Sequence, residues 1–330
     1  MKVLLTGANG FVGSHILDLL LQRGFGVAVL LRETSDTRFI EPCLSHVDVR
    51  YGSLDSPDSL RRAIRGADAV IHCAGKTKAV HKREFYEVNA EGTRNVVAAC
   101  NASADSVRHL IHISSLSVSG PGSPESPARE DSPPHPVSDY GKSKQLAEDY
   151  VRGDCRVPYT IFRPAAVYGP RDRDFFVAFK TVRDGFLFLI RGGRQHVSFA
   201  YATDVAAGVV KAIGCAAAHG KTYHLAHPVP WSQRAFLSKI ADAMHARPRR
   251  VFVPAPILYP ACLLGSVRSW AARRPSMLSL SRAPELTAPG WVCATQQAEE
   301  DLGFVARMPL DEGVRLTLDW YRTNGWLPAA

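Results

Sequence analysis

A glycine-rich turn between an apolar strand and a helix limits the possible folds of this chain more than any other feature. The turn, Thr6-Gly7-Ala8-Asn9-Gly10-Phe11-Val12-Gly13, follows the short apolar run 3–6 and opens a segment with helical apolar spacing over 11–21. Glycines allow a tight turn and a close approach of the backbone to a pyrophosphate, which the positive end of the helix attracts. The pattern therefore predicts a dinucleotide site formed by Gly7, Gly10, Phe11, Val12 and Gly13.

Strands and helices then alternate along the first half of the chain. This order predicts an α/β fold of the Rossmann type, with a doubly wound parallel sheet that is covered on both faces. Further strands are predicted over 27–31, 47–51, 69–73, 110–113 and 159–162, and helices over 57–64, 84–100 and 140–152.

The domain division follows from where this alternation weakens. We expect a dinucleotide-binding domain over residues 1–170, to which a helix and a strand in 203–226 return, and a smaller, mostly helical substrate lobe over 171–330. Residues 119–138 contain six prolines and two glycines, which predicts a loop of the kind that often forms a lid.

The end of the second strand bears on the choice of cofactor. An acid there would accept hydrogen bonds from a ribose 2′-hydroxyl, whereas an arginine accommodates a 2′-phosphate. The chain has Leu31-Arg32-Glu33, so Arg32 favours NADP. Glu33 could still reach a hydroxyl, and NAD stays open as the alternative.

A second motif, Tyr140-Gly141-Lys142-Ser143-Lys144, opens a predicted helix. The i,i+4 spacing puts Tyr140 and Lys144 on one face, where an ammonium group favours the phenolate needed for proton transfer. Ser114 and Ser115 end the strand over 110–113, at the sheet edge where ligands of open α/β sheets bind. A hydroxyl there can donate to a substrate carbonyl oxygen as charge develops on it.

Taken in order, TGANGFVG, HCAG, EVNAEGT, HISSLSVSG, YGKSK and RPAAVYGP resemble the motifs of the extended short-chain dehydrogenase/reductase family over nearly the whole chain. The resemblance implies that Ser115, rather than Ser114, is the catalytic serine and that Tyr140 is the acid/base. It also implies that Lys144 binds the ribose and tunes the tyrosine.

The resemblance implies further cofactor contacts outside the glycine turn. Arg163-Pro164 and Val167 would lie near the nicotinamide. Two departures from the family pattern stand out: Ser53 replaces a usual Asp that contacts adenine, and Ser119 replaces a frequent tyrosine. The cofactor contacts predicted beyond the turn and Arg32 are Ser53, Leu54, Ala74, Gly75, Asn89, Ser114, Tyr140, Lys144, Pro164 and Val167.

Two positions bear on the substrate. Nucleotide-sugar enzymes of this family usually carry Asn and Arg where this chain has Ala166 and Val197, and a buried diphosphate without polar partners is poorly held. The chain is more similar to the 3β-hydroxysteroid dehydrogenase and dihydroflavonol reductase branch, which predicts oxidoreduction of a hydrophobic alcohol or ketone. The alternatives are a nucleotide-sugar epimerase or dehydratase with tightly held NAD, and a non-catalytic dinucleotide sensor.

Aromatic and apolar residues of the lobe leave two interpretations open. Phe175, Phe176, Phe179, Phe186 and Phe188 could line an apolar pocket, although lobe core is the better interpretation for most of them. Tyr201 is predicted to contact the substrate together with Ser115. The apolar stretch 254–264, with Arg268, Arg273 and Arg274, could rest on a membrane, but packing against the sheet is preferred.

Charge and cysteine usage limit the partners. The net charge is +9, yet no basic run is interleaved with stacking aromatics, so no nucleic-acid partner is expected. The seven cysteines are scattered without metal-ligand spacing, which predicts no metal and a reducing compartment. With no signal peptide and no apolar run long enough for a membrane span, a cytoplasmic enzyme with a small-molecule substrate is expected. A homodimer is compatible with this interpretation.

Overall fold

The computed structural model describes residues 1–276 and 278–328. A seven-stranded sheet forms the centre, and its strands are β1 (Lys2–Thr6), β2 (Gly26–Leu31), β3 (Asp48–Tyr51), β4 (Ala69–His72), β5 (His109–Ile113), β6 (Tyr159–Pro164) and β11 (Lys221–Leu225). Every pair is parallel, and the order is β11-β6-β5-β4-β1-β2-β3. The predicted Rossmann-type α/β fold is confirmed. The strand order reverses at β1, where ligands of such sheets bind.

Helices cover both faces of this sheet because one stripe of each is apolar. The first helix, for example, buries Ile16, Leu17 and Leu20 completely against the sheet. The flanking helices are α1 (Phe11–Gln22), α2 (Pro57–Ile64), α3 (Arg83–Phe85), α4 (Gly92–Asn101), α5 (Asp139–Asp154), α7 (Ala202–Lys211) and α11 (Gln296–Leu302).

Two of these elements differ from the sequence prediction. The helix predicted over 84–100 is interrupted by a π-helical turn at Tyr86–Glu91, a feature that is frequent at functional sites. Helix α11 was assigned to the lobe, but Ala298 and Leu302 belong to the core of the sheet domain. Residues 296–302 therefore return to the sheet domain, in addition to the expected return of 203–226.

The remaining elements form the lobe beside the carboxyl ends of the strands. Its core is aromatic: Phe175, Phe199 and Phe236 pack with centroids 4.3–5.9 Å apart. The lobe contains α6 (Phe176–Arg183), α8 (Gln233–Ala243), α9 (Ala255–Ala272), α10 (Ala283–Thr287) and α12 (Leu310–Thr323), with the short strands β7 (Ala166–Tyr168), β8 (Phe186–Ile190), β9 (His196–Val197), β10 (Phe199–Tyr201), β12 (Trp231–Ser232), β13 (Arg249–Val253) and β14 (Gly290–Trp291).

Helix α9 corrects a second prediction. We expected the apolar stretch 254–264 to pack against the sheet. Instead, α9 packs chiefly on α10 and on the 3-10 turn Leu280–Arg282 that precedes α10. Leu258 and Cys262 are buried, whereas Leu263 and Leu264 are exposed to solvent. The preferred interpretation was therefore wrong, because this helix hides only a narrow stripe. Among the described residues, no helix combines the length and apolarity that crossing a membrane requires.

Candidate active site

The glycine turn has the geometry that an anion site needs. Gly7 has a φ of +75°, and a Cβ on it would lie 2.6 Å from the Ala74 nitrogen. A Cβ on Gly13 would lie 2.0 Å from the Gly7 carbonyl oxygen, so both positions require glycine. Gly10 is exposed and its Cβ would meet only that same oxygen, at 3.3 Å. This open face lies at the start of α1, where free N–H groups attract a phosphate.

Arg32 lies directly after β2 and is exposed. Its backbone nitrogen donates to the Ser35 hydroxyl at 3.0 Å, which shapes the turn. Asn9 of the glycine turn donates to the Asp36 carbonyl at 3.1 Å, so the two loops are joined. The Arg32 side chain therefore extends from a loop that borders the glycine turn, where a 2′-phosphate would need a cation.

The loop after β3 is held by a serine. The Ser53 nitrogen donates to the Ser59 hydroxyl at 3.0 Å, and that hydroxyl donates back to the Ser53 carbonyl at 3.1 Å. The Leu54 carbonyl accepts from Asn95 at 2.8 Å. These bonds position Ser53 and Leu54 at the carboxyl edge beside β2.

Asn89 lies in the π-helical turn and is buried. Its Oδ1 accepts from the Lys76 nitrogen at 2.7 Å, and its Nδ2 donates to the Lys76 carbonyl and the Ser143 hydroxyl, both at 3.0 Å. The amide thus ties the loop after β4 to α5. Ala74 and Gly75 lie in that loop, and a Cβ on Gly75 would be 3.7 Å from the Lys144 Nζ.

The two serines after β5 have different environments. The Ser114 side chain is buried and donates from Oγ to Glu148 Oε1 at 2.5 Å. The Ser115 hydroxyl is half-buried, accepts from the Ser117 nitrogen at 3.1 Å and lies close enough to the Tyr140 phenol to lower its pKa. Of the two, Ser115 faces the tyrosine.

Tyr140 and Lys144 lie in the first turns of α5. Ser138 caps this helix by accepting from the Gly141 nitrogen at 3.0 Å, an interaction that contributes about 1 kcal/mol. The Lys144 Nζ donates to the Ile113 carbonyl at 2.6 Å, which brings the ammonium group to the end of β5. The end of β5 and the first turns of α5 therefore bring Ser115, Tyr140 and Lys144 together.

Burial shifts the pKa values of both groups. Burial raises the pKa of Tyr140 to about 12, against the lowering effect of the nearby Ser115 hydroxyl. Burial also lowers the pKa of Lys144 to about 8, while the neighbouring Cys73 and Glu148 act in the opposite direction. At neutral pH the phenol keeps its proton and most of the lysine keeps its charge.

A buried ion pair supports this site from below, and the sequence analysis missed it. Arg163 donates from Nε and Nη2 to the two oxygens of Glu148, at 2.9 and 2.7 Å. Burial would raise the pKa of Glu148, but the hydrogen bonds and charge of Arg163 keep that pKa below its usual value. The signal was present, since Glu148 lies one helical turn after Lys144. The Arg163 side chain is therefore buried beneath the sheet edge. Pro164 ends β6, and Val167 lies on β7.

Tyr201 is placed differently from the prediction. It is 4% exposed, its ring lies 5.4 Å from that of Tyr168, and its hydroxyl hydrogen-bonds Thr317. This placement does not support a substrate contact, because so little of its surface is open to a ligand. Among the other aromatics, Phe179 is fully buried in the lobe core, while Phe186 and Phe188 on β8 are exposed.

An open cleft lies between the lobe and the loop after β4. Its volume is about 550 Å³, and it is lined by Val80, His81, Glu84, Trp270, Ala271 and Arg273. Glu84 is followed by Phe85, whose ring contacts that of Tyr140 at 5.9 Å between centroids. The short helix α3 therefore borders the cleft through Glu84 and contacts Tyr140 through the buried Phe85.

The sequence of residues 3–226 matches the model of the NAD dependent epimerase/dehydratase family. The chain belongs to this family, which confirms the resemblance to extended short-chain dehydrogenases/reductases and supports an enzyme that uses a nicotinamide dinucleotide. The chain is 30% identical to the ceramide reductase of Caulobacter vibrioides over 326 residues, with 99% of this chain and 96% of that protein covered.

Two further proteins are similar to this chain, one in sequence and one in structure. It is 30% identical to the human sterol-4-alpha-carboxylate 3-dehydrogenase, decarboxylating, over 75% of this chain and 68% of that protein. It is similar to the crystal structure of dTDP-glucose 4,6-dehydratase from Streptomyces venezuelae with NAD and TYD bound, with a TM-score of 0.81, 22% identity and 99% of both chains covered. The structural likeness shows the fold alone.

Proposed function

We propose that this protein is an NAD(P)-dependent oxidoreductase that interconverts a hydroxyl and a ketone on a hydrophobic small molecule. The observation that carries the proposal is that the Ser115 hydroxyl, the Tyr140 phenol and the Lys144 ammonium group come together beyond the end of β5. These three residues lie at the same edge of the sheet as the open face of Gly10.

Tyr140, Ser115 and Lys144 each have a separate role in the proposed reaction. The bound nicotinamide supplies or accepts the hydride at the substrate carbon. Tyr140 keeps its proton at neutral pH and donates it to the oxygen of a ketone. Ser115 donates a hydrogen bond to the same oxygen as negative charge develops there. Lys144 stabilises the phenolate that remains, and oxidation of an alcohol follows the reverse path.

The chain's own residues favour an apolar substrate. Ala166 and Val197 offer no side-chain donors where nucleotide-sugar enzymes usually carry Asn and Arg, so a diphosphate would be desolvated without compensation. The names of the two relatives, a ceramide reductase and a sterol dehydrogenase, support lipid-like substrates. For the cofactor we propose NADP over NAD, because Arg32 is exposed beside the glycine turn.

The direct test is a screen of apolar ketones and alcohols, including steroids, flavonoids and long-chain ketones. Each compound is mixed with the protein and with NADH, NADPH, NAD or NADP, and the nicotinamide absorbance is followed. We expect turnover with at least one apolar compound and none with the Tyr140→Phe variant. Conversion of a nucleotide sugar without net change in nicotinamide absorbance, together with an inactive apolar panel, would replace this function by the epimerase alternative.

A further inference from the structure

The outward face of α9 is apolar to an unusual degree for a surface helix. Leu264 is 71% exposed, Trp270 68%, and Ile257 and Val267 both 57%. Residues 257, 260, 264, 267 and 271 follow one another at intervals of three or four, so they lie along one side of the helix. Contiguous exposed apolar surface of this kind marks an interaction site. Leu258, Cys262 and Ser269 are buried on the opposite side, which means that the helix lies along the protein surface.

The chain segment that carries this face has charges of one sign only. Residues 243–284 contain seven arginines and neither Asp nor Glu. Arg268 lies within α9, Arg273 and Arg274 follow it, and Arg249 and Arg250 lie on the strand that leads into it; all five are exposed. An apolar stripe with cationic flanks complements a surface that offers hydrocarbon below and phosphate groups above.

We propose that α9 docks this protein flat on an anionic lipid bilayer. The apolar stripe enters the boundary between headgroups and acyl chains, and the arginines bind lipid phosphates. A second copy of the chain fits this face poorly, because a two-fold contact would place like charges against each other. An anionic membrane surface offers hydrocarbon to the apolar stripe and phosphate groups to the arginines.

Docking would place the cleft beside the bilayer. Ala271, the last position of the exposed stripe, lines the cleft of about 550 Å³ together with the neighbouring Trp270, Val80 and His81. A lipid-like substrate in the bilayer would then enter the cleft beside α3, the helix whose Phe85 contacts Tyr140. This consequence rests on the proposed function, whereas the docking itself does not.

Vesicle binding of the full-length protein tests the docking. Vesicles of phosphatidylcholine alone are compared with vesicles of equal parts phosphatidylcholine and phosphatidylglycerol, at low and at high ionic strength, by co-sedimentation. We expect binding to the anionic vesicles only, weakening with salt. Leu264→Glu should reduce the affinity at least about tenfold, because a buried leucine contributes about 1.5–3 kcal/mol. Val229→Glu, an exposed apolar position outside α9, is the matched control and should bind normally.

A second vesicle-binding experiment tests the arginines in and after α9. Replacing Arg268, Arg273 and Arg274 together by Gln should weaken binding to anionic vesicles on the order of 10²-fold, since each charge near such a surface contributes about 1 kcal/mol. Melting temperatures verify that every variant is folded. Docking is refuted if the folded wild-type protein ignores anionic vesicles at low salt, or if Leu264→Glu binds as well as Val229→Glu. A dimer that Leu264→Glu dissociates would also overturn it and assign the face to a second copy.

A soluble, short-chain ketone separates docking from catalysis. On that substrate, Leu264→Glu should turn over at the wild-type rate because position 264 does not line the cleft. Vesicle binding without turnover of any apolar ketone or alcohol would leave the docking intact and remove the proposed function.

Discussion

Ser114 and Glu148 are joined by a 2.5 Å hydrogen bond under the end of β5, while the adjacent Ser115 lies close to the Tyr140 phenol. Neighbouring residues on an extended chain point to opposite sides, so one hydroxyl supports the sheet interior and the other faces the site. Glu148 also binds Arg163, and the three side chains form one buried polar group. This division of roles gives the first prediction.

Ser115→Ala should reduce kcat on the order of 10²-fold, because it removes a donor to the developing oxyanion. Ser114→Ala should instead cost about 1–3 kcal/mol in the free energy of unfolding, since it removes a partner of a buried carboxylate. Denaturant unfolding and steady-state kinetics of both variants check this. The opposite pattern would exchange the roles of the two serines.

Tyr140→Phe should abolish turnover, with a loss on the order of 10²-fold or more, because the proton-transfer group is gone. Cofactor affinity should stay nearly unchanged, which fluorescence titration with NADPH measures. Tyr150, on the same helix but half-exposed and bonded to Glu91, is the matched control: Tyr150→Phe should remain active. Near-normal turnover of Tyr140→Phe would disprove the acid/base assignment.

The pH profile should report on Lys144. Burial lowers the pKa of this lysine to about 8, so its charge is present below that pH and is lost as the pH rises through it. We expect kcat/KM for the cofactor, which reflects the free enzyme, to be flat at neutral pH and to fall above about pH 8. Lys144→Arg keeps its charge across this range and should remove the fall, whatever its absolute activity. A wild-type profile that stays flat to pH 10 would contradict this role.

Arg32→Asp should reverse the cofactor preference. We expect the parent to bind NADPH more tightly than NADH, because the guanidinium group pairs with a 2′-phosphate. A carboxylate at this position repels that phosphate and accepts from a 2′-hydroxyl. Titration of both cofactors against both proteins measures the change, with Arg38→Asp on the same loop as the control. Equal affinities in the parent protein would show that Arg32 is only a surface charge.

Thermal melts should separate the two substrate classes. UDP-glucose and UDP-galactose should not raise the melting temperature, because Ala166 and Val197 supply no donors for their phosphates. An apolar ketone at 100 times its dissociation constant should stabilise the protein by about 2.7 kcal/mol in the presence of cofactor. A saturable rise with UDP-sugars and none with steroids or flavonoids would favour the epimerase alternative. Arg191 and Arg194 would then be the side chains to examine as phosphate donors.

Local spacing along the chain was enough to predict the Rossmann-type sheet, the glycine turn and the helix that carries both Tyr140 and Lys144. Each of these depends on residues close in sequence: a strand, a turn and a helix for the glycines, and one helical turn for the tyrosine and lysine. Burial of Gly13 against the Gly7 carbonyl follows from the same short segment.

Packing between distant segments decided the rest. It turned Ser114 toward Glu148, enclosed Tyr201 among the rings of the lobe core, brought α11 onto the sheet and left the apolar side of α9 facing outward. An apolar or hydroxyl side chain has the same local signature whether it meets protein, ligand or solvent. Its environment is set by which elements far apart in sequence come to lie against it, and spacing along the chain carries no record of that.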